Sequence, residues 1–229
     1  MTLLRGLARL ALDALFPLHC LGCGTEGELL CPACLEAAPP AAPPRCLLCW
    51  QRWAGPGPCP DCRRHPPAFA ALRSAFVYQG PVREAVHALK FRGVTALAPV
   101  MAMPLARLLA AWAPPADALL GVPLPWLRQR WRGYDQAHLL AREIGRAVGL
   151  PVLREALGRR WTPPQAGLTG EERRRNVGAA FQPRRPLAGL RLVLVDDVAT
   201  TGATLDACAR ALHQAGAAQV WALTFAREG

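Results

Sequence analysis

The stretch 191–204, RLVLVDDVATTGAT, runs four aliphatic residues into two adjacent carboxylates and then into a turn of small and hydroxyl-bearing residues with one glycine. A short, unbroken aliphatic run bounded by turn residues is the pattern of a strand covered on both faces, as in a parallel sheet. Leu192, Val193, Leu194 and Val195 are read as that strand, so Asp196 and Asp197 emerge at its carboxyl end, where open α/β sheets bind ligands. The helix expected over 201–216 (TGATLDACARALHQAG) then presents its first backbone amides to an anion. From about residue 70 onward the chain alternates strand-like and helix-like stretches. RSAFVYQG (73–80), DALLGVP (117–123), RLVLVDD (191–197) and QVWALTFA (219–226) read as strands, PVREAVHALKFRG (81–93) and YDQAHLLAREIGRAVG (134–149) as helices. The fold class is therefore α/β with a parallel sheet.

Carboxylates repel phosphate but accept hydrogen bonds from a sugar diol, while loop amides and the hydroxyls of Thr200, Thr201 and Thr204 suit a phosphate. Together they describe a socket for a ribose 5-phosphate. A strand ending in two acids also occurs in nucleotide hydrolases, but no G-x-x-x-x-G-K-[ST] is present. A plain helix N-cap would account for one Asp and one Thr only. The stretch resembles the binding motif for 5-phosphoribosyl 1-diphosphate (PRPP) in type I phosphoribosyltransferases. That resemblance assigns Asp196 and Asp197 to the ribose, and Ala199, Thr200, Thr201, Gly202, Ala203 and Thr204 to the 5-phosphate.

Eight of the nine cysteines form four C-x-x-C pairs: Cys20 and Cys23, Cys31 and Cys34, Cys46 and Cys49, Cys59 and Cys62. This clustering belongs to metal in a reducing compartment, and two four-thiolate sets fit two structural zinc ions with no open coordination position. Consecutive pairing is the simpler arrangement; spacing alone also permits a crossed one. A redox dithiol would need one pair and leave six cysteines without a role. GCGTEG (22–27) satisfies G-x-G-x-x-G but lies inside a cysteine knuckle with no strand before it. His19 and His65 are expected at the surface, and Cys208, on an apolar helix stripe with Leu205 and Leu212, as a buried inert thiol.

The formal charge is +11, and eight thiolates around two zinc ions would lower it to about +7. PLPWLRQRWRGYDQAH (123–138) interleaves Arg128, Arg130 and Arg132 with Trp126, Trp131 and Tyr134. Guanidinium groups match diphosphate oxygens, and arginines among aromatic rings also suit single-stranded nucleic acid. Lys90, Arg130, Arg132 and Tyr134 are candidates for holding diphosphate or DNA, as are Arg173, Arg174 and Arg175 within the basic, glycine-rich excursion 158–181. The first fifteen residues read as an amphipathic helix that stays on the protein, since Arg5, Arg9 and Asp13 interrupt its apolar run. No stretch of about 18 uncharged apolar residues suggests a membrane span.

The order of these motifs, from the cysteine knuckles through ALKFRG (88–93), RGYDQAHLLA (132–141) and TPPQAGLTGEERRRNV (162–177) to the acid pair, resembles the ComF family of bacterial competence proteins. The resemblance implies an N-terminal helix (1–17), a double zinc ribbon (18–64) and a phosphoribosyltransferase-like domain (65–229). It also implies a cytoplasmic protein that binds PRPP with Mg²⁺, contacts single-stranded DNA, and works with DNA-import or recombination proteins during natural transformation. An active Mg²⁺-dependent transferase with an unknown acceptor is the alternative.

Overall fold

The computed structural model describes residues 18–159 and 180–229. The expected helix over 1–17 and the candidates Arg173, Arg174 and Arg175 lie outside the described residues. In chain order, two short helices, α1 (Pro32–Glu36) and α2 (Pro60–Arg64), each follow a cysteine and open on a proline. Then come β1 (Leu72–Val77), α3 (Gly80–Phe91), α4 (Leu97–Trp112), β2 (Ala118–Gly121), α5 (Trp126–Arg132) and α6 (Gln136–Val148). Next are β3 (Leu157–Arg159), β4 (Phe181–Pro183), β5 (Arg191–Ala199), α7 (Ala203–Gln214) and β6 (Gln219–Arg227).

Four strands form an all-parallel sheet in the order β1, β6, β5, β2, while β3 and β4 make a separate antiparallel pair. Side chains alternate across the sheet, as the period of two requires. Leu119, Val193, Val195, Leu223 and Phe225 pack against α3, α4 and α6 on one face. Leu120, Leu192, Leu194, Val220 and Ala222 pack against α7 and the β3–β4 pair on the other. Both faces are therefore covered, which is why the β5 sequence is aliphatic without alternation.

The helix α4 has no counterpart among the sequence expectations. Its residues are apolar nearly all round, so no amphipathic period marks it, and Pro104 interrupts its interior. Proline there costs about 3 kcal/mol of helix propensity. Burial of Leu97, Met101, Leu105 and Leu109 outweighs that cost. The helix α5 likewise has no counterpart among the elements expected from the sequence. The proline-rich segment 37–44 lies along the free edge of β1: Ala41 donates its amide to the Ala75 carbonyl and Val77 donates to Pro39, both at 2.9 Å. The cysteine-rich region is thereby tied to the sheet instead of hanging from it, and an otherwise unpaired edge is covered.

On its outer flank β2 makes a parallel bridge, Leu119 to Val152, at the far end of α6. On its inner flank it pairs with β5, which leaves through α7 on the opposite face. Neighbouring strands that feed helices on opposite faces open a crevice at their carboxyl ends. Gly121 closes the base of that crevice, because a Cβ there would stand 2.6 Å from the His138 amide nitrogen and 2.8 Å from the Ala137 carbonyl carbon. Gly121→Ala should therefore lower the unfolding free energy by about 1–3 kcal/mol. A reduced urea midpoint at unchanged slope is the expected reading. An unchanged midpoint would mean that α6 does not press on β2.

Candidate functional site

Strand β5 covers the expected 191–197 and runs on to Ala199. It stays in register with β6 through Asp196 opposite Thr224, Val198 opposite Ala226 and Ala199 opposite Arg227. Its pairing with β2 stops at Gly121 opposite Val195, apart from one further bond, 2.9 Å, from the Val122 amide to the Val195 carbonyl. The two acids thus sit in a strand held on one side and open on the other. Their side chains diverge: Asp197 is buried at 2 % exposure, whereas Asp196 is half-buried.

Lys90, in the last turn of α3, reaches over the crevice and places its Nζ 2.7 Å from Asp197 Oδ1. Asp197 Oδ2 is buried with no hydrogen-bond partner among the described residues. Asp196 accepts the Asp197 backbone amide on Oδ1 at 2.8 Å. Burial, and then the charge of Asp197, push the Asp196 carboxyl well above the usual range, against the pull of that amide and of Lys90.

A cavity of about 570 Å³ opens in front of these groups. Lys90, Arg128, Arg132 and Arg159 furnish its cationic wall, Asp196 and Asp197 its acidic one, and Thr204 lies at its edge. The structure therefore brings together Lys90, Arg132, Asp196, Asp197 and Thr204. Arg130 points away on the exposed face of α5 and does not line the cavity. The Tyr134 hydroxyl donates to the Leu89 carbonyl, which fastens the start of α6 to α3. Arg132 donates to Gln136 Oε1 at 2.6 Å and lies over the Phe91 ring, its Nε buried and unpartnered among the described residues.

Arg159 and Arg128 were not among the sequence candidates. Arg159 sits at the end of β3 against the Phe181 ring, and Arg128 on the first turns of α5. The sequence signal for Arg159 was only its place in a basic excursion; the short β3–β4 pair that aims it carries no periodicity of its own. Trp131 and Phe91 at the cavity mouth are 81 % and 61 % exposed.

Beyond Ala199 the turn exposes Thr200 and Thr201, and Gly202 takes the left-handed conformation (φ 82°) at the N-cap of α7. No side chain caps this helix; the Ala203 amide is bonded only locally, to Thr201 Oγ1 at 3.3 Å. The turn thus leaves polar groups at an uncapped helix start, where they line a cleft next to the one that holds the acids.

The cysteines resolve into two sets, Cys20, Cys23, Cys31 and Cys34, and Cys46, Cys49, Cys59 and Cys62, with the thiols of each set within 4.8 Å of one another. The pairing is thus consecutive, and the donor set fits zinc. Burial raises the Cys20 thiol, but the amides of Cys31, Cys23 and Gly22 prevail and bring it to about 6. Burial opposes the same effect at Cys46, which its amide donors bring to about 7. The neighbouring thiols then drive Cys34 up to about 12. Four coexisting thiolates need a cation among them, which tetrahedral zinc provides. His19 and His65 are exposed and outside both sets, and Cys208 is fully buried behind the site.

Because folding raises the Asp196 pKa, its contribution to stability is fully present below the unfolded carboxylate range. It is lost as pH rises through the folded value. Asp196→Asn should therefore raise Tm by roughly 2–4 °C near pH 8, with the gain vanishing near pH 4. Scanning calorimetry at both pH values checks this, and a variant less stable at pH 8 would contradict it.

The chain matches the family Phosphoribosyl transferase domain over residues 92–229 and the family Double zinc ribbon domain over residues 11–64. It is 35% identical over 205 residues to DNA utilization protein YhgH of Salmonella typhimurium, covering 85% of this chain and 83% of that one. Competence protein F of Haemophilus influenzae is 38% identical over 113 residues, which is 47% of this chain and 49% of that one. Competence protein ComFC of Bacillus subtilis is 27% identical over 208 residues, 87% of this chain and 85% of its relative. A double zinc ribbon joined to a parallel-sheet phosphoribosyltransferase domain, together with the similarity to these competence and DNA utilization proteins, makes the chain a member of the ComF family.

Proposed function

We propose that this chain binds phosphoribosyl diphosphate together with Mg²⁺ and handles single-stranded DNA during natural transformation, in the cytoplasm. The observation that carries the reading is the Lys90–Asp197 pair inside a cavity with one acidic and one cationic wall. A phosphoribosyl diphosphate would exchange that pair for two new ones, ammonium with diphosphate oxygen and carboxylate with ribose hydroxyl. The desolvated charges need not then be left unpaired in either state. Asp196 and Asp197 would accept the ribose hydroxyls and share the Mg²⁺, whose chemistry is to neutralise the diphosphate. Ala199, Thr200, Thr201, Gly202, Ala203 and Thr204 would hold the 5-phosphate. The names of the relatives, DNA utilization protein and competence protein, support the DNA role.

For the DNA, the exposed Trp126, Trp131 and Phe91 at the rim supply stacking surfaces, and Arg128 and Arg130 supply charge for the backbone. Arg173, Arg174 and Arg175 belong to the same proposal by sequence. A transferase reaction is the second reading, favoured by an adjoining cavity of about 510 Å³ that shares Pro123, Leu124 and Arg159 with the first and has room for an acceptor. In that reaction the acceptor nitrogen forms a bond to ribose C1 as the C1–oxygen bond breaks and diphosphate leaves.

Calorimetric titration should give phosphoribosyl diphosphate binding in Mg²⁺ that disappears in Asp196→Ala plus Asp197→Ala. Absence of binding to the wild type would defeat the proposal. Single-stranded DNA affinity should fall steeply with salt, and Arg130→Ala plus Arg132→Ala should flatten the log–log slope by about 1.4. A slope unchanged by the two substitutions would remove this helix from the DNA contact.

A further inference from the structure

The second cysteine set and the turn 200–203 face each other across one cleft, lined by Cys49, Cys62 and His65 on one side and Thr200, Thr201 and Gly202 on the other. Arg227, the last residue of β6, is 2 % exposed and lies opposite Ala199 in the ladder. Its Nη1 donates to the Ala199 carbonyl at 3.0 Å, the carbonyl at which β5 gives way to the turn. The same carbonyl accepts the Glu228 amide at 3.0 Å. On its other side the guanidinium lies near the Cys49 sulfur, with Cys62 also within electrostatic reach.

No carboxylate pairs with Arg227 among the described residues, and its Nε has no partner there. A guanidinium this deeply buried needs a counter-charge. Zinc with four thiolates carries a net charge of about −2, and this set provides it where neutral thiols would not. Arg45 is also buried, and Arg73 lies over the Trp50 and Trp112 rings. Among the described residues no buried arginine is paired with the first set; it packs near the start of α3, where Gly22 lies against Cys34 and Pro81, and its Cys23 is exposed.

We infer that Arg227 is a positioning residue for the turn that holds the 5-phosphate, and that the second zinc site, by anchoring Arg227, sets the ligand affinity of the phosphoribosyl site while the first does not. The inference rests on the phosphoribosyl reading proposed above. It gives the second zinc ribbon a role in ligand binding through one buried cation that lies near the thiolates and holds the end of β5, although the zinc does no chemistry.

The test uses the full zinc-loaded chain, with phosphoribosyl diphosphate and Mg²⁺ as the titrant and zinc content measured alongside. Arg227→Gln should keep two zinc ions per chain and bind at least ten-fold more weakly. Arg227→Lys, which keeps a cation near Cys49 but not the fork that also reaches the Ala199 carbonyl, should bind more tightly than Arg227→Gln and more weakly than the wild type. Arg227→Gln with two zinc ions and unchanged affinity would overturn the inference while leaving the phosphoribosyl reading intact. Failure of the wild type to bind would overturn both. Should Arg227→Gln not fold, graded chelation of the wild type decides: the first zinc equivalent, lost from the exposed set, should leave affinity unchanged, and loss of the second should lower it at least ten-fold. Affinity that survives removal of both ions would refute the role of the second site.

Discussion

Strand β5 is paired longer on one side than on the other, and the rest of the site depends on that inequality. The ladder with β6 holds the backbone through Ala199, so Asp196 and Asp197 sit on rigid extended backbone. The ladder with β2 ends at Val195, so the same two residues border an opening. A strand paired equally on both sides would bury the acids in a sheet; one paired on neither would leave them on a mobile loop. Gly121 then lets α6 come close beneath the opening, and α3 brings Lys90 over it.

The charges around this opening are arranged to be exchanged. Lys90 and Asp197 are both largely removed from water and satisfy each other, yet Asp197 Oδ2 and the Nε atoms of Arg132 and Arg159 remain without partners among the described residues. Buried polar groups left this way cost free energy that a ligand of complementary pattern recovers on binding. The raised Asp196 carboxyl points the same way, since stability is lost there as the proton leaves and a cation or hydroxyl donor would offset the loss. The metal region follows similar electrostatics, with backbone amides favouring one thiolate in each set and the remaining thiols needing a cation.

The parts of the molecule legible in the sequence were those whose function and local structure share one short window. The β5 strand, its acids and the turn into α7 are contiguous, and each cysteine knuckle carries its own spacing. The helix α4 was invisible because burial on nearly every side erases the amphipathic period, and Pro104 argues locally against a helix that only packing sustains. The extent of β5 past Asp197 to Ala199 is set by β6, a partner that begins more than twenty residues later, and no local signal carries it. Arg159 and Arg227 are single arginines among many in a chain with only one lysine; what distinguishes them is burial, a property of the assembled fold. The use of the proline-rich segment 37–44 as cover for the β1 edge depends on long-range contact, which no local signal carries.

The most direct measurement is a crystal structure of the protein with phosphoribosyl diphosphate and Mg²⁺. Density for the ribose against Asp196 and Asp197, with the phosphoryl group enclosed by residues 199–204 and Lys90 turned toward diphosphate, is the predicted result. A ligand bound elsewhere, or a Lys90–Asp197 pair untouched at saturating ligand, would contradict the account.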